Sequence, residues 1–170
     1  MIGSPNHVFF IYDGDDSDAV GSGPGPAGSA QIEKTFEAFF NMRGVPFKGT
    51  DFSGRSDYGR FIFYGVPSGG LFTGAEGIKT AAEAALWGGT AGQQYDPCYH
   101  LACDTYANNN DYALDVNSDA VAFSVLQYAM NTSDINAVKG KGNFPPVSGE
   151  GAVSGNGSQS GLHDHEAVTE

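Results

Sequence analysis

The sequence predicts an α/β fold in which helices pack on a sheet. Three observations carry this reading. Residues 7–14 (HVFFIYDG) form a short β-branched and aromatic run that breaks at Asp-Gly, the pattern of a buried strand. Residues 29–44 (SAQIEKTFEAFFNMRG) set Ile32, Phe36, Phe39 and Phe40 at i, i+4, i+7 and i+8, one face of a helix that must dock on something. Further strand-like and helix-like segments then alternate along the chain.

The elements follow in order. After the first strand, residues 15–28 (DDSDAVGSGPGPAG) read as an acidic, Gly/Pro-rich surface loop. Ser29 is the expected N-cap of the next helix and Gly44 its C′ residue. RSDYGRFIFYG predicts a short helix begun by Ser56 or Asp57, and VPSGGLFTG a strand entering a glycine-rich loop. KTAAEAALWGG (79–89) predicts an alanine-rich helix stopped by Gly88. Residues 89–117 show no helical or strand period, yet hold four tyrosines and two cysteines, so a functional loop is expected rather than disorder. A last helix is predicted over 118–130, with Val121, Ala122, Val125, Leu126 and Ala129 on its inner face. From 131 to 170 the chain turns to Gly, Ser and Pro and reads as a flexible tail, after a domain part spanning 1–130. No internal repeat is visible.

Composition narrows the function. The 170 residues are 40% apolar and 12% aromatic, enough for one domain with a core. Twenty acidic residues against eight basic give a net charge of −12, which repels nucleic acid and anionic membrane. No apolar run is long enough to span a bilayer. The opening MIGSPNHVFFIYDG has no basic start and too short an apolar run for a signal peptide, so any such signal is expected outside this chain.

Several motifs lead nowhere. Gly23–Gly28 matches G-x-G-x-x-G, but Pro24 and Pro26 remove N–H donors and the loop is too long for a dinucleotide turn. His163-Asp164-His165 reads as a solvated acidic end, and His7 as a structural residue at a strand start. Asn131 and Asn156 begin N-glycosylation sequons, which matter only in a secreted protein. DPCYHLACDT (96–105) holds both cysteines. It lacks the second ligand pair of a zinc knuckle and the C-x-x-C redox spacing. Four residues separate Cys98 from Cys103, which suits a local disulfide worth roughly 2 kcal/mol by loop entropy. Such a bond would fix Tyr99 and His100, and it points to an oxidising compartment. The pair then has two readings: a metal ligand beside an oxyanion donor, or a buried hydrogen-bonded pair.

Taken together, MIGSPN (1–6), GPAGSAQIEKTFEAFF (25–40), FSGRSDYGRF (52–61), GVPSGGLFTGAEGIKT (65–80), WGGTAGQQYDPCYHLACDT (87–105) and ALDVNSDAVAFSVLQYA (113–129) resemble the C-terminal half of secreted di-zinc aminopeptidases. These are the aminopeptidase Y and secreted leucine aminopeptidase group of bacteria and fungi. The resemblance implies a zinc exopeptidase-type three-layer α/β fold with a mixed central sheet, here incomplete. It implies a pair of zinc ions and a peptide substrate with a free, apolar, leucine-like N-terminal residue. It implies a secreted or vacuolar location. By the same resemblance His100 is a zinc ligand, Tyr99 stabilises the tetrahedral oxyanion, and Arg55 and Phe72 line the substrate site. Cys98 and Cys103 match a local disulfide, and Asp115 and Asp119 match a calcium site of a bacterial relative. Asp104 is expected to orient the His100 loop. In such enzymes a His-x-Asp segment, a Glu-Glu pair and a further aspartate lie upstream of the position matched by Met1. The chain by itself is therefore expected to be inactive, to need that first half, and to leave the apolar face of helix 29–43 without its partner. A secreted peptide-binding module, or a remnant without function, are the alternatives.

Overall fold

The computed structural model describes residues 1–19 and 21–136, the last by its backbone alone; the sequon at Asn156, the histidines at 163 and 165 and most of the expected tail lie outside these residues. Strand β1 (Phe10–Tyr12) is followed by α1 (Ser29–Arg43), β2 (Lys48–Thr50), α2 (Tyr58–Phe63), β3 (Leu71–Phe72) and α3 (Ala81–Trp87). A 3₁₀ turn (Tyr106–Asn108) leads into α4 (Asp111–Met130), and α5 (Ser133–Asn136) closes the described chain. The expected α/β character is therefore present. The sheet has the order β2-β1-β3 and is mixed: β1 runs parallel to β2 and antiparallel to β3. Parallel neighbours need a crossover, and α1 supplies it. Strand β2 escapes the sequence pattern because Lys48-Gly49-Thr50 carries no apolar alternation.

Alternation along β1 divides the core. Phe9 and Ile11 point to α1 and α4, where Phe36, Phe39, Phe40, Ala113, Val116 and Ala120 complete one cluster. Val8 and Phe10 point the other way, onto Tyr95, while Tyr12 meets Phe52 and Tyr58. The apolar face of α1 is thus covered within this chain, contrary to the expectation, with Phe40 fully buried. Burial of each such ring stabilises the fold by about 1.5–3 kcal/mol.

Helix ends show where local signals hold. Gly44 caps α1 in the left-handed region at φ 64°, as its position predicts. At the other end Gly28, not Ser29, is the N-cap: φ is 103°, and a Cβ there would stand 2.9 Å from the Ile135 carbonyl and from Pro67. Ser29 is buried and its Oγ accepts the Ser68 amide instead. Asp57 precedes α2 without a side-chain cap. Helix α3 starts with a capping box: Thr80 Oγ1 accepts the Glu83 amide and Glu83 Oε2 accepts the Thr80 amide.

Helix α4 differs most from expectation. It begins seven residues earlier, where Asn110 Oδ1 accepts the Ala113 amide. Its inner face is Ala113, Val116, Asn117, Ala120 and Ser124, while Val121, Val125 and Leu126 are exposed. Small residues face the phenylalanines of α1 because two large surfaces cannot share one close-packed seam. After α4 the backbone continues into α5, which packs against α1.

Candidate active site

The segment MIGSPN is a hub beneath the site. Ser4 Oγ donates to the Gly74 carbonyl at 2.6 Å, and Asn117 Nδ2 donates to the Ile2 carbonyl at 2.9 Å. Asn6 Nδ2 donates to the Thr90 and Gln94 carbonyls, its Oδ1 accepts the Thr90 amide, and its backbone amide reaches the Tyr95 carbonyl. The loop after β3 pairs with residues 92–96 through Lys79→Gln93, Gly92→Lys79, Tyr95→Gly77 and Asp96→Ala75 backbone bonds. Gly74 must be glycine here: φ is 94° and a Cβ would collide with the Tyr95 ring. Much of the segment without period is therefore a tied loop that delivers residues 96–104.

A buried carboxylate braces this loop from behind. Glu83 Oε1 accepts from Lys48 at 2.9 Å and Oε2 from the Tyr95 hydroxyl at 2.8 Å, joining α3, β2 and the loop. Burial works against its ionisation, but the Thr80, Lys48 and Tyr95 donors outweigh it and bring the pKa down to about 2.

Cys98 and Cys103 form the expected disulfide, with Cα atoms 5.3 Å apart. Between them Tyr99 is half-buried and His100 exposed, their ring centroids 4.0 Å apart. His100 is one of three non-glycine residues at positive φ among the described residues, at 56°. Arg55 lies opposite: its Nη2 donates to Glu76 Oε1 at 2.8 Å. Glu76 chiefly, with the Tyr99 hydroxyl adding, raises the Arg55 pKa. Glu76's own backbone amide and Arg55 hold its carboxyl below the usual range, and His100 contributes in the same direction. Arg55, Tyr99 and His100 are thus brought together, and Glu76 joins them unannounced by any motif.

The other expected residues make other contacts. Phe72 is half-buried beside Phe10 and Tyr12, and Tyr12 in turn feels Tyr99. Asp115 and Asp119 sit one turn apart on the exposed side of α4, and Asp119 pairs with Arg43 at 3.2 Å. Asp104 is exposed; among the described residues its carboxylate accepts only from Asn108, at 3.2 Å to Oδ1. The acid that grips the loop is the buried Asp96, whose Oδ1 accepts the Cys98 amide and Asn108 Nδ2, both at 2.9 Å.

For a metal, His100 offers one exposed imidazole on a fixed backbone. Glu76, the carboxylate that feels it, is engaged by Arg55. These residues fit one ligand position and do not make up a two-zinc set. A separate acidic group, Asp13, Asp15 and Glu33, brings ligand oxygens within 4.8 Å of one another but includes no imidazole.

Comparison with known proteins adds the following. The model of peptidase family M28 matches residues 1–125. An "Aminopeptidase" of Pseudomonas aeruginosa is 52% identical over 136 residues, covering 80% of this chain and 25% of that protein. A "probable leucine aminopeptidase 2" of Aspergillus oryzae is 53% identical over 135 residues, covering 79% and 27%. "Leucine aminopeptidase 2" of Trichophyton equinum is 49% identical over 156 residues, covering 91% and 29%. The chain thus spans only 25–29% of the length of these relatives.

Proposed function

The chain belongs to peptidase family M28, and from that premise we propose that it is part of a zinc-dependent aminopeptidase that removes apolar, leucine-like residues from the N-termini of peptides. One observation carries the reading: Tyr99 and His100 are presented side by side on a disulfide-closed loop that faces Arg55. The names of the relatives support the reaction class. In this proposal His100 is one zinc ligand, and the other ligands and the general base come from the remainder of a longer polypeptide. The described sheet and helices are then part of a three-layer fold.

Zinc, when bound, supplies Lewis acidity and a water of lowered pKa. The chain's own residues supply orientation. Tyr99 donates its hydroxyl proton in a hydrogen bond to the oxygen that becomes negative as the peptide carbonyl turns tetrahedral. Arg55 and Phe72 border the peptide, and the Glu76 pair keeps the guanidinium from swinging away. The 170-residue chain alone is inactive on this reading, because one imidazole cannot assemble the site. A secreted location fits the disulfide, and among the described residues no helix is long and apolar enough to cross a membrane. Calcium at Asp115 and Asp119 remains part of the proposal only if the Arg43–Asp119 pair opens.

The test uses the full polypeptide that carries this segment. His100→Ala is expected to lower bound zinc and abolish leucine-anilide hydrolysis. Full zinc and full turnover in that variant would sink the assignment. A peptide-binding module is the second reading, favoured by the single imidazole; it predicts peptide affinity in the 170-residue chain without hydrolysis.

A further inference from the structure

We infer that Asp96 and Asn108 form a clasp that positions the Tyr99–His100 loop, and that it works through the geometry of one oxygen rather than through charge. The inference rests on the site reading above and goes beyond it. Asp96 is 3% exposed, and among the described residues a single side-chain atom, Oδ1, receives both hydrogen bonds to its carboxylate. One comes from the Cys98 amide, at the mouth of the disulfide loop; the other comes from Asn108 Nδ2 in the 3₁₀ turn before α4. The Asp96 backbone amide reaches the Ala75 carbonyl at 2.8 Å, next to Glu76. Asn108 also donates to Asp104 Oδ1 at 3.2 Å, beyond the far cysteine. The loop is therefore pinned on both flanks to one asparagine.

The disulfide cannot do this alone. It joins Cys98 to Cys103 but leaves the closed ring free to tilt against Arg55 and Glu76. His100 stands at φ 56°, a conformation that a residue with a Cβ keeps only when its surroundings over-determine it. The clasp and the bond supply that constraint together with the backbone turns of the loop, where the Leu101 amide reaches the Cys98 carbonyl at 2.8 Å and the Asp104 amide the Leu101 carbonyl at 3.0 Å. Asp96 and Asn108 do not touch the reacting atoms, so they are positioning residues.

Four variants decide the matter in the full polypeptide: Asp96→Ala, Asp96→Asn, Asn108→Ala and the double alanine variant. Asp96→Ala is expected to lower kcat by about 10²-fold, the usual loss for a misplaced catalytic group, with KM little changed. Asp96→Asn is expected to rescue, because an amide oxygen can take the same two donors. Asn108→Ala should act in the same direction but more mildly, since the Cys98 amide still reaches Asp96, and the double variant should fall short of the sum of the two, since they share one bond. A second readout needs no metal and no turnover: in the zinc-free protein the Cys98 amide should exchange hydrogen faster in Asp96→Ala and stay protected in Asp96→Asn. An Asn variant as damaged as the Ala variant would overturn the claim about geometry. Wild-type kcat and Cys98 protection in Asp96→Ala would overturn the clasp altogether. His100→Ala and Tyr99→Phe run alongside: full turnover in both would fail the site reading, while the exchange result at Cys98 would still judge the clasp.

Discussion

Glu33 and His7 are both buried, and their titrations oppose one another. Burial, with Asp13, Asp15 and Glu37 nearby, pushes Glu33 up to about 7, against the pull of the Gly14 amide. Its contribution to stability is complete below its unfolded value and is lost as pH rises through 7. Burial, with Lys79 beside it, brings His7 down to about 4. Its contribution is complete above the unfolded histidine value near 6.5 and is lost as pH falls towards 4. Between these limits the two slopes partly cancel. Glu33→Gln keeps an oxygen for the Gly14 amide and removes the charge. At pH 8 it should stabilise the chain by on the order of 2–3 kcal/mol. It should also unmask a rise in stability from pH 4 to 6.5 that comes from His7. Urea denaturation across pH 4–8 checks both; a variant no more stable than the parent at pH 8 would show that Glu33 is not strained by its charge.

At the scale of elements, α4 makes the sharpest test. Ala120 is fully buried against α1. Ala120→Leu should cost about 1–3 kcal/mol by overpacking. Val125→Ser, on the exposed side, should stay within about 0.5 kcal/mol. Thermal melts of the two variants would reverse this order if Val125, not Ala120, faced the core. The contrast also explains what the sequence could tell. Strand β1 and helix α1 are legible because each has one dominant apolar period, and Gly44 marks a stop that only glycine makes cheaply. Helix α4 is apolar on two sides, so periodicity locates a helix but cannot choose its inner face. Its start is hidden too, since the Asn110 cap lies inside a stretch of asparagines. The site divides in the same way. Tyr99, His100 and the disulfide are contiguous and can be read in one line. Glu76, Asp96, Asn108 and the Asn6 clamp gain their meaning from contacts between distant segments, which no spacing reveals.

On the whole molecule, charge and grease are set against each other. Helix α4 turns Leu114, Val121, Val125 and Leu126 outward, and α2 exposes Phe61 and Phe63, with Tyr64 just beyond its end. Lone exposed aliphatics are ordinary; runs of them on two helices are not. The net charge of −12 acts over all of this surface. Salt shortens the reach of that repulsion to about 8 Å at physiological strength and about 3 Å at 1 M. The 170-residue chain should therefore self-associate as sodium chloride is added, and Val125→Ser with Leu126→Ser should delay it. Light scattering against salt concentration reads this directly; scattering that falls with salt would place the attraction in the charges. The two-sided helix thus has a practical meaning for anyone handling the protein. On this expectation dilute, low-ionic-strength buffer should keep the molecules apart, and a high-salt purification step should favour their association.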